Sequence, residues 1–177
     1  MVRAEDCLKK YGDPRKESNM ILYDVPSRLE IGVIPKKMYC NKDLVRPIEK
    51  AFENLITSGC VHELKTYDGC FNIRKTTSGG SMSLHSWGIC CDFNAAWNGY
   101  NKPVTLSQGF VDCFKRAGFD WGGDWKIKDG MHFQLASLDG YMVKPTDNNI
   151  LDIALEKNKN LGLTFEEIEA LYIHFKK

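Results

Sequence analysis

The chain has 177 residues, of which 43% are hydrophobic and 27% are charged, and its formal net charge is +1. This length and composition are typical of one globular domain with a substantial core and room for a small appendage. A net charge so close to zero gives no electrostatic reason to expect binding to nucleic acid or to an anionic membrane.

The cysteines and the N-terminus bear on the cellular compartment. The seven cysteines form no Cys-x-x-Cys pair, and their odd number argues against a disulfide framework or a structural zinc finger. The first ten residues lack the apolar run of a signal peptide. No stretch has the ~20 apolar residues of a membrane span. We therefore expect a monomer that is made and kept reduced in a cytosol and does not insert into a membrane.

The first 37 residues are predicted to form an N-terminal arm. Residues 4–11 favour a short helix, and residues 20–25 are apolar enough for an extended segment. An arm of this kind wraps a core, and we expect Leu22 and Tyr23 to be among its buried anchors.

Two helices with an apolar face are predicted in the middle of the chain. The first spans residues 44–58, with Asp43 as its N-cap and Gly59 as its stop. The second spans residues 106–117, with Ser107 as its candidate cap. In both, apolar residues recur at the helical period and indicate a buried stripe.

Short strands are expected around these helices. Residues 60–67 alternate between apolar and polar, and residues 70–74 are predicted to return as the second strand of a hairpin. The glycine-bearing stretch 75–83 is predicted to be a mobile loop at the rim of a substrate groove. Further strands are predicted at 89–93, 119–121 and 131–135.

We place the boundary of the main domain at residue 139. Residues 140–177 are predicted to be a short helical extension of unknown role, with helices at 148–157 and 165–175. The second of these has the capping box Thr164-Phe-Glu-Glu167.

Imidazoles and carboxylates are concentrated in two stretches, 83–92 and 129–134. A catalytic zinc takes three protein ligands and leaves a fourth position for water. His85, Asp92 and His132 could supply the three ligands. Asp129 would then remain as an unliganded carboxylate that accepts a proton from the water, whose pKa zinc lowers to about 7. Hydrolysis of an amide is the natural use of such a site.

The spacing requires bends in the chain. Positions seven apart point to opposite faces of a strand, so His85 and Asp92 converge only if the chain bends between them, and Gly88 is placed to bend it. Asp129-Gly130 is a turn dipeptide, and a turn there can change the direction in which the Asp129 carboxylate points. Spacing alone leaves open whether Asp92 or Asp129 is the ligand and which is the base.

Five segments resemble the D-alanyl-D-alanine carboxypeptidase (VanY-like) and L-alanyl-D-glutamate endopeptidase family, and more closely its phage and prophage members, many of which are endolysins. The segments are Gly69-Cys-Phe-Asn-Ile-Arg74, Ser83-Leu-His-Ser-Trp-Gly88, Asp92-Phe-Asn94, Gly118-Phe-Asp-Trp-Gly-Gly-Asp-Trp125 and Asp129-Gly-Met-His-Phe-Gln134. The family pattern is Ser-x-His, six residues, Asp, then a later Asp/Glu-x-x-His, and residues 83–92 and 129–132 match it. The likeness extends from about residue 11 to residue 135.

The resemblance implies a fold and assigns roles. The fold is α+β, with a small antiparallel sheet that carries the zinc ligands and is flanked by helices, as in hedgehog/D-Ala-D-Ala peptidase-like domains. The resemblance implies zinc as the cofactor, with His85, Asp92 and His132 as its ligands. It also implies Asp129 as the general base and Arg74 as the residue that holds a substrate carboxylate or polarises the scissile carbonyl. An Arg fork suits either task because it binds carboxylate bidentately and stays charged.

Three further residues are predicted to bind substrate. Trp121 and Asp124 line the pocket by family likeness. Ser83, two residues before a predicted ligand, could hydrogen-bond either the substrate or the ligand shell.

One departure from the family pattern lies at Cys90-Cys91, where relatives usually have small or aliphatic residues before the metal aspartate. Free cysteines usually behave as small buried hydrophobes. The alternative is a thiol close enough to the zinc to ligate it or to be oxidised.

We therefore expect residues 1–139 to be a zinc metallopeptidase that hydrolyses a bond in the stem peptide of bacterial peptidoglycan. The L-alanyl-D-glutamate endopeptidase activity of a phage endolysin is favoured, and D-alanyl-D-alanine carboxypeptidase activity is the alternative. Such an enzyme, made in the host cytoplasm, reaches the wall only after another factor releases it. Two rival hypotheses are a non-catalytic zinc-containing module that binds the wall and a cysteine hydrolase that uses Cys90 or Cys91 with His85.

Overall fold

The computed structural model describes residues 1–77 and 79–139. The predicted α+β class is confirmed. The helices are α1 (Ala4–Tyr11), α2 (Val45–Thr57), α3 (Ala95–Asn98) and α4 (Gln108–Arg116). The strands are β1 (Met20–Asp24), β2 (Lys37–Asn41), β3 (Tyr67–Gly69), β4 (Cys90–Phe93), β5 (Phe119–Trp121) and β6 (His132–Leu135). The helices predicted at 148–157 and 165–175, and the rest of the extension, lie outside the described residues.

The strands form two antiparallel sheets. β1 and β2 pair as a two-stranded sheet, and the other four strands form a sheet in the order β3-β4-β6-β5. In the centre of the larger sheet, Cys90 pairs with Gln134 and Asp92 pairs with His132. Because side chains alternate along a strand, these four side chains share one face of the sheet.

The other face of the larger sheet packs on the helices. Phe93 of β4 and Phe133 of β6 point into a cluster of aromatic rings that includes Phe114 of α4. The rings of Phe114 and Phe133 have centroids 4.3 Å apart. Burial of each such ring contributes roughly 1.5–3 kcal/mol to folding, so this core fixes the two strands that carry the polar face.

Both predicted central helices are present. The structure confirms Ser107 as the cap of α4, because its hydroxyl accepts a hydrogen bond from the amide of Phe110 at 3.1 Å. The cap predicted at Asp43 is wrong. A 3-10 turn at Lys42–Leu44 precedes α2, and the side chain of Asn41 accepts the hydrogen bond from the Asp43 amide. The Asp43 carboxylate instead accepts a hydrogen bond from the Tyr11 hydroxyl at 2.9 Å.

The helix and strand predicted in the arm are present, but the anchor expected at Leu22 is not. Leu22 lies on the open face of the β1–β2 sheet and is 64% exposed, because the pairing of β1 with β2 turns this side chain away from the core. Tyr23 is partly buried and packs against the core. The deeply buried anchors of the arm are Val2, Cys7, Val25, Leu29 and Ile34.

The hairpin predicted across residues 60–74 does not form. Cys60–Glu63 is a 3-10 turn, and β3 covers only Tyr67–Gly69 and pairs with β4. The physical reason lies in Asn94, whose buried side-chain oxygen accepts hydrogen bonds from the amides of Lys65 and Thr66. Because these two backbone amides already donate hydrogen bonds to Asn94, they do not require acceptors on a neighbouring strand.

Within the described part of the chain, no helix is long and apolar enough to cross a membrane.

Candidate metal centre

His85 lies in a 3-10 turn, Leu84–Trp87, immediately before β4. The hydroxyl of Ser83 accepts a hydrogen bond from the His85 amide and caps this turn. The turn ends at Gly88, which has φ +62°, so the bend predicted from the spacing lies there. A Cβ at Gly88 would lie 2.9 Å from the backbone nitrogen of Asn41, so only glycine fits this bend.

The His85 ring is oriented by a backbone carbonyl. Its Nδ1 lies 2.7 Å from the carbonyl oxygen of Cys70. Because a carbonyl only accepts hydrogen bonds, Nδ1 carries the proton and Nε2 presents a lone pair. Nε2 is buried, has no hydrogen-bond partner in the described chain, and lies 3.1 Å from Oδ2 of Asp92.

The His132 ring is oriented in a similar way by Gln134, two residues further along β6. The Gln134 amide nitrogen donates to the carbonyl of Val2 at 3.2 Å, so its oxygen faces His132. That oxygen lies 3.4 Å from Nε2 of His132, and Nδ1 lies 3.1 Å from Oδ1 of Asp92. Each ring nitrogen of His132 therefore faces an acceptor oxygen, and when Nε2 donates to Gln134, Nδ1 has a lone pair for a metal ion.

Asp92 stands between the two imidazoles, one carboxylate oxygen toward each. Burial raises the pKa of Asp92, but its contacts with His132 and His85 outweigh burial and hold the pKa well below its usual range. The carboxylate is thus ionised and lies 3.1 Å from one nitrogen of each imidazole. Such an arrangement of acceptors is stable only with cations or protons among them.

A zinc ion fits this donor set. Imidazole nitrogen and carboxylate oxygen are both common zinc ligands, and each zinc-binding imidazole usually has its other nitrogen held by an acceptor. Here the carbonyl of Cys70 and the side chain of Gln134 are those acceptors. His85, Asp92 and His132 could therefore hold a metal as the sequence predicted. Gln134 lies in the predicted motif but had no predicted role, although a strand position two residues from His132 must share its face.

Cys90 lies beside the same group of donors. Its sulfur, one imidazole nitrogen of His85 and one of His132 all lie within 4.8 Å of one another. Cys90 and Cys91 are both fully buried, but Cys91 points into the hydrophobic core. Burial, reinforced by the charge of Asp92, raises the pKa of the Cys90 thiol. Neither is the exposed, low-pKa thiol that a cysteine hydrolase needs, which argues against that hypothesis.

Asp129 lies in the turn that precedes β6. Its Oδ1 is buried and has no hydrogen-bond partner in the described chain. Burial raises the pKa of Asp129 above its ordinary value, the charge of Asp92 raises it further, and the charge of Arg74 lowers it by less. An unpartnered carboxylate with a raised pKa suits a general base.

Two neighbours fix the position of the Asp129 turn. The indole nitrogen of Trp121 donates to the carbonyl of Gly130 at 2.8 Å. The backbone of Gly122 packs so closely that a Cβ there would lie 2.4 Å from the carbonyl oxygen of Asp129. Trp121 thus holds the turn that carries the candidate base, and its predicted contact with substrate stays a prediction.

Arg74 is anchored by its backbone to the His85 turn. Its carbonyl accepts a hydrogen bond from the Ser83 amide at 2.9 Å, and its amide donates to the Ser86 hydroxyl at 3.1 Å. The guanidinium is exposed, and its charge lowers the pKa of both Cys90 and Asp129. Arg74 is therefore solvent-accessible and within electrostatic reach of the metal centre.

Asp124 and Ser83 have other partners in the structure. The Asp124 carboxylate is 53% exposed and forms an ion pair with Lys115 of α4 at 2.6 Å. The Ser83 hydroxyl serves the turn of His85 and is buried, which favours the ligand-shell alternative over contact with substrate. Substrate binding by either residue stays a prediction.

The comparisons with known proteins point to the same class. Residues 76–135 match a family model described as D-alanyl-D-alanine carboxypeptidase. The match includes Ser83, His85, Asp92, Asp129 and His132 but begins after Arg74. It supports the similarity to the VanY-like zinc peptidases, and with it a peptidase that acts on peptidoglycan. No curated protein and no solved structure matches the chain.

Proposed function

We propose that the protein is a zinc-dependent peptidase that cleaves the stem peptide of bacterial peptidoglycan, with the L-alanyl-D-glutamate endopeptidase activity of a phage endolysin. The observation that carries the proposal is the convergence of two imidazole nitrogens on the Asp92 carboxylate, with the buried, unpartnered Oδ1 of Asp129 in the adjoining turn. The family match over residues 76–135 supports the substrate class.

The residues divide the chemistry between them. When bound by His85, Asp92 and His132, zinc supplies a Lewis acid that polarises the scissile carbonyl and acidifies a water molecule. Asp129 takes the proton from the attacking water and passes it to the leaving amine. The buried Oδ1 of Asp129 has no hydrogen-bond partner in the described chain, so it is free to accept this proton.

Arg74 is proposed to orient the substrate. Its guanidinium is exposed, while its backbone is tied to the turn that carries His85. An arginine in this position can bind a substrate carboxylate bidentately or stabilise the oxyanion. Peptidoglycan stem peptides carry carboxylates both at D-glutamate and at the terminal D-alanine, so this role is compatible with either cleavage site.

Carboxypeptidase activity on a terminal D-alanine is the second candidate, favoured by the description of the matching family model. A non-catalytic zinc-containing module that binds the wall is the third. The unpartnered Asp129 oxygen argues against it, because a buried polar atom without a partner destabilises the fold and a binding module has no use for it.

The test is digestion of purified peptidoglycan with and without a chelator, followed by mass spectrometry of the products. Glycan-linked stems that end in L-alanine, with peptides that begin at D-glutamate, are the expected products. Release of free D-alanine would instead establish the carboxypeptidase. Binding to the wall without any zinc-dependent product would favour the module and overturn the proposal. His132→Ala is the inactive control.

Delivery to the wall is part of the same proposal. We propose that the protein acts on the wall after another factor releases it from the cytoplasm. Co-expression with a membrane-permeabilising protein tests this, since lysis should require both proteins and fail with His132→Ala.

A further inference from the structure

Cys90 is the one donor at the metal centre that the proposed mechanism does not use. It occupies the strand position two residues before Asp92, so both side chains leave β4 on the same face. Its sulfur lies within 4.8 Å of one imidazole nitrogen of His85 and one of His132. The adjacent Cys91 belongs to the hydrophobic core, whereas Cys90 lies on the polar face of the sheet.

The distances are close to those that a shared metal ion needs. With bonds of ~2.1 Å to nitrogen and ~2.3 Å to sulfur, a tetrahedral zinc holds the two atoms roughly 3.6 Å apart. Separations of up to 4.8 Å close to this value with shifts of about 1 Å, which side-chain torsions can supply. The buried Nε2 of His85, without a hydrogen-bond partner in the described chain, is a second and independent sign that a ligand belongs here.

We propose that Cys90 is a fourth protein donor of the metal centre, so that the chain holds zinc through two imidazoles, one carboxylate and one thiolate. On binding, the thiol loses its proton to solvent and the sulfur lone pair forms the bond to the metal, with no change of oxidation state. Four protein donors are the closed arrangement of structural zinc sites. The Cys90 thiolate therefore competes with water for the position that hydrolysis requires.

This inference rests on the metal site of the proposed function and is tested by a spectroscopic signature independent of activity. The metal-free protein is loaded with one equivalent of Co²⁺ and its absorption spectrum is recorded. A thiolate ligand gives a charge-transfer band in the near ultraviolet, and tetrahedral Co²⁺ gives bands in the visible. We expect both in the wild-type protein and in Cys91→Ser. Cys90→Ser should lose the near-ultraviolet band and keep the visible ones.

The possible failures are distinguishable. Visible bands without the near-ultraviolet band in the wild type would overturn the role of Cys90 and leave the metal site intact. Loss of the band in Cys60→Ser, which removes a partly exposed thiol, would assign the band to another site and also overturn the inference. Failure to bind Co²⁺ at all would overturn both the inference and the metal site. Absence of the near-ultraviolet band from the wild-type spectrum would overturn the inference even if a buried serine variant fails to fold.

Discussion

Gly122 packs directly against the backbone of Asp129, the candidate base. The Asp129 amide donates to the Gly122 carbonyl at 3.0 Å, and a Cβ on Gly122 would lie 2.4 Å from the Asp129 carbonyl oxygen. Since real Cβ atoms do not approach an oxygen so closely, any larger residue at position 122 must displace the turn. The carboxylate of the candidate base is therefore positioned by a residue that has no side chain.

Gly122→Ala should consequently lower kcat while zinc remains bound. A displacement of about 1 Å in a catalytic group costs on the order of 100-fold in rate. Peptidoglycan turnover and zinc content, measured on the same preparation, check the prediction. Gly99→Ala is the matched control, because a Cβ there would meet nothing closer than 3.4 Å. Wild-type turnover by Gly122→Ala would show that Asp129 need not be held in place.

Asp129→Asn should separate catalysis from metal binding. The amide keeps the size of the side chain but cannot accept the proton from water, so we expect activity to fall by about 10²–10⁴-fold. Zinc content should stay near one equivalent, since this residue is predicted not to be a ligand. If instead the variant loses its zinc, Asp129 and not Asp92 is the ligand, which is the alternative that the spacing left open.

Gln134→Leu should weaken zinc binding without touching a predicted ligand. The substitution removes the oxygen that faces Nε2 of His132 and thus frees the ring to adopt the other tautomer. Loss of such an outer partner typically lowers metal affinity by roughly 10–100-fold. Competition with a chromophoric chelator measures the affinity. Gln108→Leu, on the exposed surface of α4, is the control that should bind zinc like the wild type.

Protonation of Asp43 in acid should make the metal-free protein less stable. Burial raises the pKa of Asp43, but the hydrogen bonds from Lys10 and Tyr11 outweigh it and lower the pKa overall. A carboxyl whose pKa is lowered by folding stabilises the protein above its unfolded value of ~3.9, and this contribution is lost as pH falls through the folded pKa. Asp43→Asn should thus lower the free energy of unfolding at about pH 7 by about 1–2 kcal/mol and by less at about pH 3.

Urea denaturation at the two pH values measures this difference. Asp24→Asn is the control, since Asp24 is 76% exposed and lies 3.9 Å from its nearest cation, Lys37. Its effect should stay within about 0.5 kcal/mol at either pH. An equal loss of stability for Asp43→Asn at both pH values would show that the charge of Asp43 does not contribute.

The sequence by itself determined the elements whose signals are local. The periods of α2 and α4, the cap at Ser107 and the bend at Gly88 depend on residues a few positions apart, and the structure confirms them. The His and Asp positions of the metal centre were likewise predicted from a motif. Such signals survive without tertiary information because neighbouring residues create them.

Only the tertiary structure decided the features that depend on distant partners. The Asn94 side chain removed the need for a strand at Lys65 and Thr66, and pairing of β1 with β2 left Leu22 exposed. One nitrogen of His85 and one of His132 lie against Asp92 because Cys70 and Gln134 contact the opposite ring nitrogens. Cys90 lies beside the candidate metal ligands, and Cys91 in the core, because side chains alternate along β4. Residue types and spacing give the candidates, but hydrogen bonds between segments far apart in sequence decide which atoms face one another.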